Sequence, residues 1–169
     1  DEDFKAKRGA SLFSGHVSNG LISKLTKGKW DDVYYYSYRW YLCRRDDKNK
    51  LIKEDEPFAY AFSLSTMEHD KSTSFPDITT ILFDEFLTRD AYMPDEFIIF
   101  TNVLSTIIRQ RDNVKIFMLG NTVNQYSPYF NEMGLTNIRK MKPGDIDVYN
   151  YGDSKLKVAV EYTEPSKIQ

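Results

Sequence analysis

The stretch Ile78-Thr79-Thr80-Ile81-Leu82-Phe83 runs without alternation and stops at Asp84-Glu85. Runs of this kind mark a strand buried on both faces, usually in a parallel sheet under helices. Downstream, Pro94 stands before Asp95-Glu96, and Phe97, Ile98, Val103, Leu104, Ile107 and Ile108 recur near helical spacing. The spacing predicts a helix over 95–111, with acids in its first turn and bases in its last, as the helix dipole favours. Asp112-Asn113 is a turn, and Val114 to Leu119 forms a second apolar strand ending at Gly120-Asn121-Thr122. The unit over 78–122 is therefore strand, helix, strand. A crossover of that length makes the two strands parallel and the connection right-handed. The fold class is α/β, with a mostly parallel central sheet.

Upstream, the first 32 residues are polar and rich in Gly, Ser and Lys, with one short helix predicted over Leu21 to Leu25. Val33 to Cys43 is aromatic and β-prone, a strand signal. Arg44 to Lys50 is a charged turn, Leu51-Ile52-Lys53 restarts, and Pro57 to Leu64 alternates. These pieces read as an antiparallel meander over 33–64. Residues 65–77 are polar loop. Beyond Asn121 the chain reads as a loop bearing Tyr, Asn and Pro. Two short strands follow, Ile146 to Tyr149 and Leu156 to Tyr162, around a Tyr151-Gly152-Asp153 turn. No internal repeat is present, so one compact unit is expected.

Composition narrows the class. The chain has 169 residues, 23 Lys plus Arg against 25 Asp plus Glu, and a net charge of −2. Apolar residues make up 41% and aromatics 15%, which excludes a disordered or collagen-like chain. The balanced charge confines any nucleic-acid contact to a local patch. The single cysteine, Cys43, excludes an internal disulfide and a Cys-cluster zinc site; its ordinary place is as a small buried hydrophobe in a strand. His16 and His69 lie too far apart in sequence to suggest a metal pair. No apolar run approaches the ~18 residues of a membrane span. The acidic start Asp1-Glu2-Asp3 does not resemble a signal peptide, and a reducing intracellular setting is expected.

The acids at the strand end carry the chemistry. Ligands of α/β sheets bind beyond the carboxyl ends of the strands. Asp84 is placed to hold Mg2+ through its water shell, and Glu85 to orient and deprotonate an attacking water, the Walker B arrangement. The plain alternative is two acids facing solvent. Asn121 ends the next strand and can hydrogen-bond a water or a terminal phosphate; the alternative is a turn residue after Gly120. Arg109 suits developing phosphoryl charge, above all from a neighbouring subunit, while its ordinary reading is complementarity to the helix dipole.

Ser63-Leu64-Ser65, the loop to Ser74-Phe75-Pro76-Asp77, and Thr79-Thr80-Ile81-Leu82-Phe83-Asp84-Glu85-Phe86 resemble the central block of the DNA-packaging (encapsidation) ATPases of small phi-twenty-nine-type tailed phages. Ile107-Ile108-Arg109-Gln110-Arg111, Leu119-Gly120-Asn121-Thr122 and Ser127-Pro128-Tyr129-Phe130 continue the likeness in order, from about Ala59 to Gly134. The resemblance implies a RecA-like ASCE ATPase core using ATP and Mg2+. It implies a homo-oligomeric ring at the portal of an empty head, with double-stranded DNA and a packaging RNA as partners and no membrane. The setting would be the cytoplasm of the infected bacterium, docked on the prohead and absent from the mature virion. By the same resemblance Asp84 is the magnesium-side carboxylate, Glu85 the catalytic base, Arg109 the arginine finger, Arg111 an auxiliary nucleotide contact and Asn121 the sensor. The family's Walker A loop, G-x-x-x-x-G-K-[ST], is missing: Gly15-His16-Val17-Ser18-Asn19-Gly20 lacks the Lys-Ser/Thr end and reads as ordinary loop. The family's C-terminal domain is expected to be missing as well. The chain is thus expected to be an ATPase fragment, inactive alone.

Two other classes compete. A two-metal nuclease would need Asp84, Glu85 and a third acid such as Asp145 or Asp147 to converge. A non-catalytic nucleic-acid-binding module would use the aromatic segment Tyr34 to Tyr41, with Tyr36 and Trp40 as stacking rings and Arg39, Arg44 and Arg45 beside them. Lys71 and Arg139-Lys140-Met141-Lys142 are candidate phosphate contacts, although a charge run is ordinarily a solvated face.

Overall fold

The computed structural model describes residues 7–67, 75–121 and 126–164. Where the sequence suggests one compact unit, the chain divides into two: residues 1–80 with 99–115, and residues 81–98 with 116–169.

In the first unit, three five-residue helices open the described chain: α1 (Lys7–Ser11), α2 (Ser14–Ser18) and α3 (Leu21–Leu25). The last coincides with the predicted short helix. A sheet follows. β1 (Asp32–Tyr36) and β2 (Arg39–Arg45) pair antiparallel, with Tyr36 opposite Arg39. The sequence predicts a single strand over 33–43; the structure folds that stretch back on itself. Only Ser37 and Tyr38 lie between the strands, with φ of 47° and 60°. Two successive left-handed residues give the type I′ turn, whose twist matches a hairpin. The usual Asn-Gly is absent, so the sequence carries no turn signal there.

β3 (Leu51–Lys53) and β4 (Ala59–Tyr60) both pair with β2 on the edge away from β1, so the expected meander forms with its last piece split off. Asp46 closes the β2–β3 turn, its carboxylate accepting from the backbone N–H of Lys48 and of Lys50 at 2.9 and 2.8 Å. The sheet packs through Trp40, which is 2% exposed and meets Tyr35 and Phe13 at centroid distances of 5.0 and 5.8 Å. Its indole N–H donates to the Gly9 carbonyl at 2.7 Å. A Cβ on Gly9 would fall within the Tyr35 ring, so the close approach requires glycine. Cys43 is 1% exposed in β2, the small buried hydrophobe expected, and burial beside Asp32 and Asp31 pushes its thiol pKa up to about 11. A short helix, α4 (Leu64–Met67), follows the sheet.

β5 (Thr80–Phe83) and β6 (Lys115–Met118) form a two-stranded sheet. Lys115 N–H donates to the Thr79 carbonyl and Leu119 N–H to the Phe83 carbonyl, both at 2.9 Å. The partners advance together along both strands, so the pair is parallel as predicted. Between the strands runs α5 (Glu96–Ile108), shorter than the predicted 95–111. It stops because Arg109 and Gln110 take left-handed φ of 44° and 65°, which leaves Arg109 and Arg111 beyond the last turn. The expected burial on both faces does not hold: every second residue faces out, with Leu82 63% and Phe117 50% exposed. Nor is there a broad parallel sheet among the described residues, only these two strands.

The second unit is built around Tyr129, which is fully buried. Its ring meets those of Phe83, Phe86, Phe97 and Tyr92 at 5.7, 5.7, 5.8 and 6.2 Å, mostly edge to face, the geometry ring quadrupoles favour. Tyr129 lies on α6 (Pro128–Glu132), in a stretch expected to be loop. The Ser127 hydroxyl caps this helix, accepting from Tyr129 N–H, and Pro128 fills its first turn. β7 (Ile146–Asn150) and β8 (Lys157–Glu161) form the predicted antiparallel hairpin. Tyr151 Oη donates to the Met133 carbonyl at 2.7 Å, and Asn137 Nδ2 to Asp147 at 2.7 Å, joining the hairpin to the segment after α6.

Candidate functional site

Asp84 and Glu85 directly follow β5, and Asn121 lies three residues beyond β6. Because the strands are parallel neighbours, both ends open at one edge of the sheet. The backbone closes that edge: Phe86 N–H donates to the Leu119 carbonyl at 3.2 Å, one residue past the acid pair. Gly120 then passes close under the acid loop, and a Cβ there would stand 3.0 Å from Leu87 Cγ and 3.0 Å from Phe86 Cε1. Asp84, Glu85 and Asn121 are all exposed.

Local chemistry shapes the acid pair. Asp84 Oδ1 accepts from Glu85 N–H at 2.9 Å. Glu85 has φ of 56°, a left-handed conformation that costs a non-glycine residue about 1–2 kcal/mol. Such strain collects at functional sites when the surroundings enforce it. Here the surroundings are the Leu119 pairing on one side and the aromatic cluster on the other. Tyr129 Oη donates to Glu96 Oε1 at 2.7 Å, and Met93 N–H to Glu96 Oε2 at 2.9 Å. Burial first, and the Glu96 carboxylate second, hold the Tyr129 phenol far above the ordinary range. The Tyr92 hydroxyl in the same cluster is buried without a hydrogen-bond partner.

Arg109 and Arg111 belong to the first unit, whereas the acid pair and Asn121 belong to the second. Arg109 is exposed just past α5. Arg111 is engaged differently from a residue reserved for a ligand: its guanidinium donates to the carbonyls of Phe75, Pro76, Ile78, Ile107 and Ile108.

The nuclease arrangement does not assemble, since among the described residues no three His, Cys, Asp or Glu side chains group to hold a metal. Asp147 is instead bonded to Asn137, and Asp145 accepts from Lys142 N–H at 2.7 Å. An exposed carboxylate at a strand end does fit Mg2+, which keeps several waters and needs one or two protein carboxylates when phosphates supply the rest. The aromatic platform is altered as well. Trp40 is a core residue, while Tyr36 is 64% exposed and Tyr41 lies under the Lys53 ammonium at 4.3 Å. Of the candidate phosphate contacts, Arg139, Lys140 and Lys142 are exposed, with the Arg139 guanidinium 4.3 Å over the Tyr126 ring. Lys71, His69 and Thr122 lie outside the described residues. A cleft of about 150 Å³ lined by Phe130, Asn131, Leu135, Thr136, Ile138 and Arg139 contains none of the expected catalytic residues. Among the described residues no helix is long and apolar enough to cross a membrane.

Sequence reasoning missed Tyr129 and Glu96. The signal for the first was Ser127-Pro128, a cap followed by a first-turn proline. Nothing marked Glu96 beyond its place in the first turn of α5.

The fold defines a mixed α/β protein similar to the N-terminal domain of the DNA packaging ATPase from bacteriophage phi29. The likeness has a TM-score of 0.63 and 21% identity, and covers 96% of this chain and 71% of that one. The bacteriophage phi29 viral genome packaging motor assembly contains a similar chain, with a TM-score of 0.55, 22% identity and coverage of 89% and 42%. The family of Podovirus DNA encapsidation proteins (Gp16) matches residues 47–157, and the chain belongs to it. The DNA packaging protein of Bacillus phage B103 is 39% identical over 79 residues, which are 45% of this chain and 25% of that protein. The matched stretch thus spans about a quarter of that relative's length.

Proposed function

We propose that the chain is part of an ATP-hydrolysing motor subunit that drives double-stranded viral DNA into a prohead. In this reading the strand-helix-strand unit belongs to a RecA-like ASCE core. The subunits form a homo-oligomeric ring docked at the portal in the host cytoplasm, with a packaging RNA as a further partner. The observation that supports it most is the shared rim: an acid pair and an asparagine at the carboxyl ends of two adjacent parallel strands, with Phe86 and Leu119 tying the ends together.

The roles follow from the chemistry. Glu85 accepts a proton from the attacking water, whose oxygen bonds to the terminal phosphorus as the bond to the leaving diphosphate oxygen breaks. Asn121 hydrogen-bonds that water or the terminal phosphate. Asp84 would hold Mg2+ through its water shell; when bound, the ion neutralises phosphate charge. Arg109 stabilises the equatorial oxygens of a neighbour's ATP. For Arg111 the family role of auxiliary nucleotide contact competes with its five carbonyl partners, and its first duty here is structural.

The test uses the full-length protein assembled on proheads. Glu85→Gln should bind ATP as the parent does and lose turnover. Arg109→Ala should bind ATP, fail to turn over in a uniform ring, and regain turnover when mixed with subunits that supply the arginine. Normal turnover by Glu85→Gln would remove the base; failure of every mixture to recover would remove the trans arginine.

A further inference from the structure

We infer that Tyr129 is a positioning residue that fixes the backbone carrying the acid pair; this rests on the proposed role of Glu85 as base. The two residues that bracket the pair, Phe83 and Phe86, both set their rings against Tyr129 at 5.7 Å, at interplanar angles of 60° and 86°. Asp84 and Glu85 are therefore the exposed crest of a loop whose two feet stand on one buried ring. The main chain repeats the bracket, since Leu119 donates to the Phe83 carbonyl and accepts from Phe86 N–H. Between these feet Glu85 is held at φ 56°, a left-handed conformation uncommon for glutamate. Phe97, on α5, closes a further side of the ring at 5.8 Å.

The hydroxyl sets the depth of the ring. A buried phenol needs an acceptor, and Glu96 supplies one at 2.7 Å while also capping Met93 N–H at 2.9 Å. Tyr129 is thus fixed at its edge by aromatic contacts and at its tip by a carboxylate, as a support for a catalytic group must be. Its part in turnover is to keep Glu85 at the angle from which it reaches the water. A misplacement of about 1 Å at such a group costs on the order of a hundredfold in rate.

The experiment compares Tyr129→Leu, Tyr129→Phe and Leu135→Ala in the full-length protein. Leu135 is buried in the same unit and is not one of the residues that bracket the acid pair. Two readouts are taken: steady-state ATPase, resolved into kcat and KM, and amide hydrogen exchange at Glu85 and Phe86. Tyr129→Leu should lower kcat at least tenfold with KM within twofold, and speed exchange at both amides at least tenfold. Tyr129→Phe keeps the ring and should recover most of kcat. Leu135→Ala should leave both readouts near the parent. Unchanged exchange in Tyr129→Leu overturns the inference, and so does unchanged kcat while Glu85→Gln is inactive. Glu85→Gln turning over at the parental rate instead removes the base, and with it any support role in turnover, whatever the exchange shows. Should Tyr129→Leu fail to fold, Phe86→Leu removes one foot and leaves the ring. A tenfold loss in kcat is then expected, and no loss overturns the inference.

Discussion

The Arg111 guanidinium donates to the Phe75 carbonyl at 3.0 Å, across 36 positions of sequence. Pro76 and Ile78 accept from the same fork, so the segment entering β5 is fastened to the chain leaving α5. Hydrogen bonds to a charged group contribute about 1.5–3 kcal/mol each and do not add simply. Arg111→Ala should lower stability by about 2–4 kcal/mol, and Arg111→Lys should recover less than half, because an ammonium lacks the planar fork. Urea unfolding of the three proteins measures this. Unchanged midpoints together with weakened ATP binding would return Arg111 to the nucleotide.

The Ser37-Tyr38 turn offers a second measurement. Both residues hold left-handed backbone at φ 47° and 60°, where Asn-Gly is far better suited. Replacing the pair by Asn-Gly should raise stability by about 1 kcal/mol, since two strained residues are relieved at once. A shift of the thermal midpoint upward by a few degrees is expected. A downward shift would mean that the Tyr38 side chain contributes packing that outweighs the backbone gain.

What the sequence revealed, and what it hid, follows one physical line. The core of α5, the directions of β5 and β6 and the β7–β8 hairpin were readable because apolar spacing reports periodicity directly. The turn at Ser37 was hidden because Ser37-Tyr38 stands where Asn-Gly is customary. Leu82 and Phe117 misled because an unbroken run reports apolar residues, not how many faces are covered in the described chain. Of the site, Asp84, Glu85 and Asn121 stood out as polar residues ending apolar strands. Arg111 did not reveal its task, because a fork onto backbone carbonyls 33 to 36 positions away leaves no local pattern.

Gly120 separates packing from backbone freedom. A methyl group there would stand 3.0 Å from both Leu87 Cγ and Phe86 Cε1, a crowded contact that forces both side chains to shift by a few tenths of an ångström. Gly120→Ala should therefore cost about 1–3 kcal/mol as an overpacking change. Because Phe86 is a foot of the acid loop, turnover of the full-length protein should fall as well. Pairing it with Leu87→Ala, which vacates one of the two contacts, should return part of the stability. Additive losses in a double-mutant cycle would refute the clash.

Lys29 and Trp30 give a pH-dependent measurement. Lys29 Nζ and Trp30 Nε1 both donate to Glu54 Oε1, at 2.7 and 2.8 Å, and these bonds lower the Glu54 pKa. A carboxyl whose folded pKa lies below its unfolded value adds stability above the unfolded value. It loses that stability as pH falls through the folded one. Stability should decline on acidification from about pH 5 downward. Glu54→Gln should flatten part of that decline, and leave the profile between pH 6 and 8 displaced but parallel. Thermal midpoints across the range test the difference in slope. An identical acid slope in both proteins would dismiss the Glu54 contribution.

Glu85 sets stability against chemistry. Its left-handed φ of 56° is a conformation glycine adopts freely and glutamate does not. Glu85→Gly exchanges that strain for the greater freedom of glycine in the unfolded chain, and the balance should favour the folded state by about 0.5–1 kcal/mol. Glu85→Ala keeps a Cβ and therefore the strain, so its stability should match the parent within about 0.5 kcal/mol. Both changes remove the carboxylate, and neither protein should hydrolyse ATP. The contrast is informative because it divides the two consequences of one residue. If the glycine protein is more stable than the alanine protein and both are inactive, the strain at the rim is maintained against stability for the carboxylate's sake. Equal stabilities would mean that the φ value carries no cost, and that the bracketing by Phe83 and Phe86 has nothing to enforce.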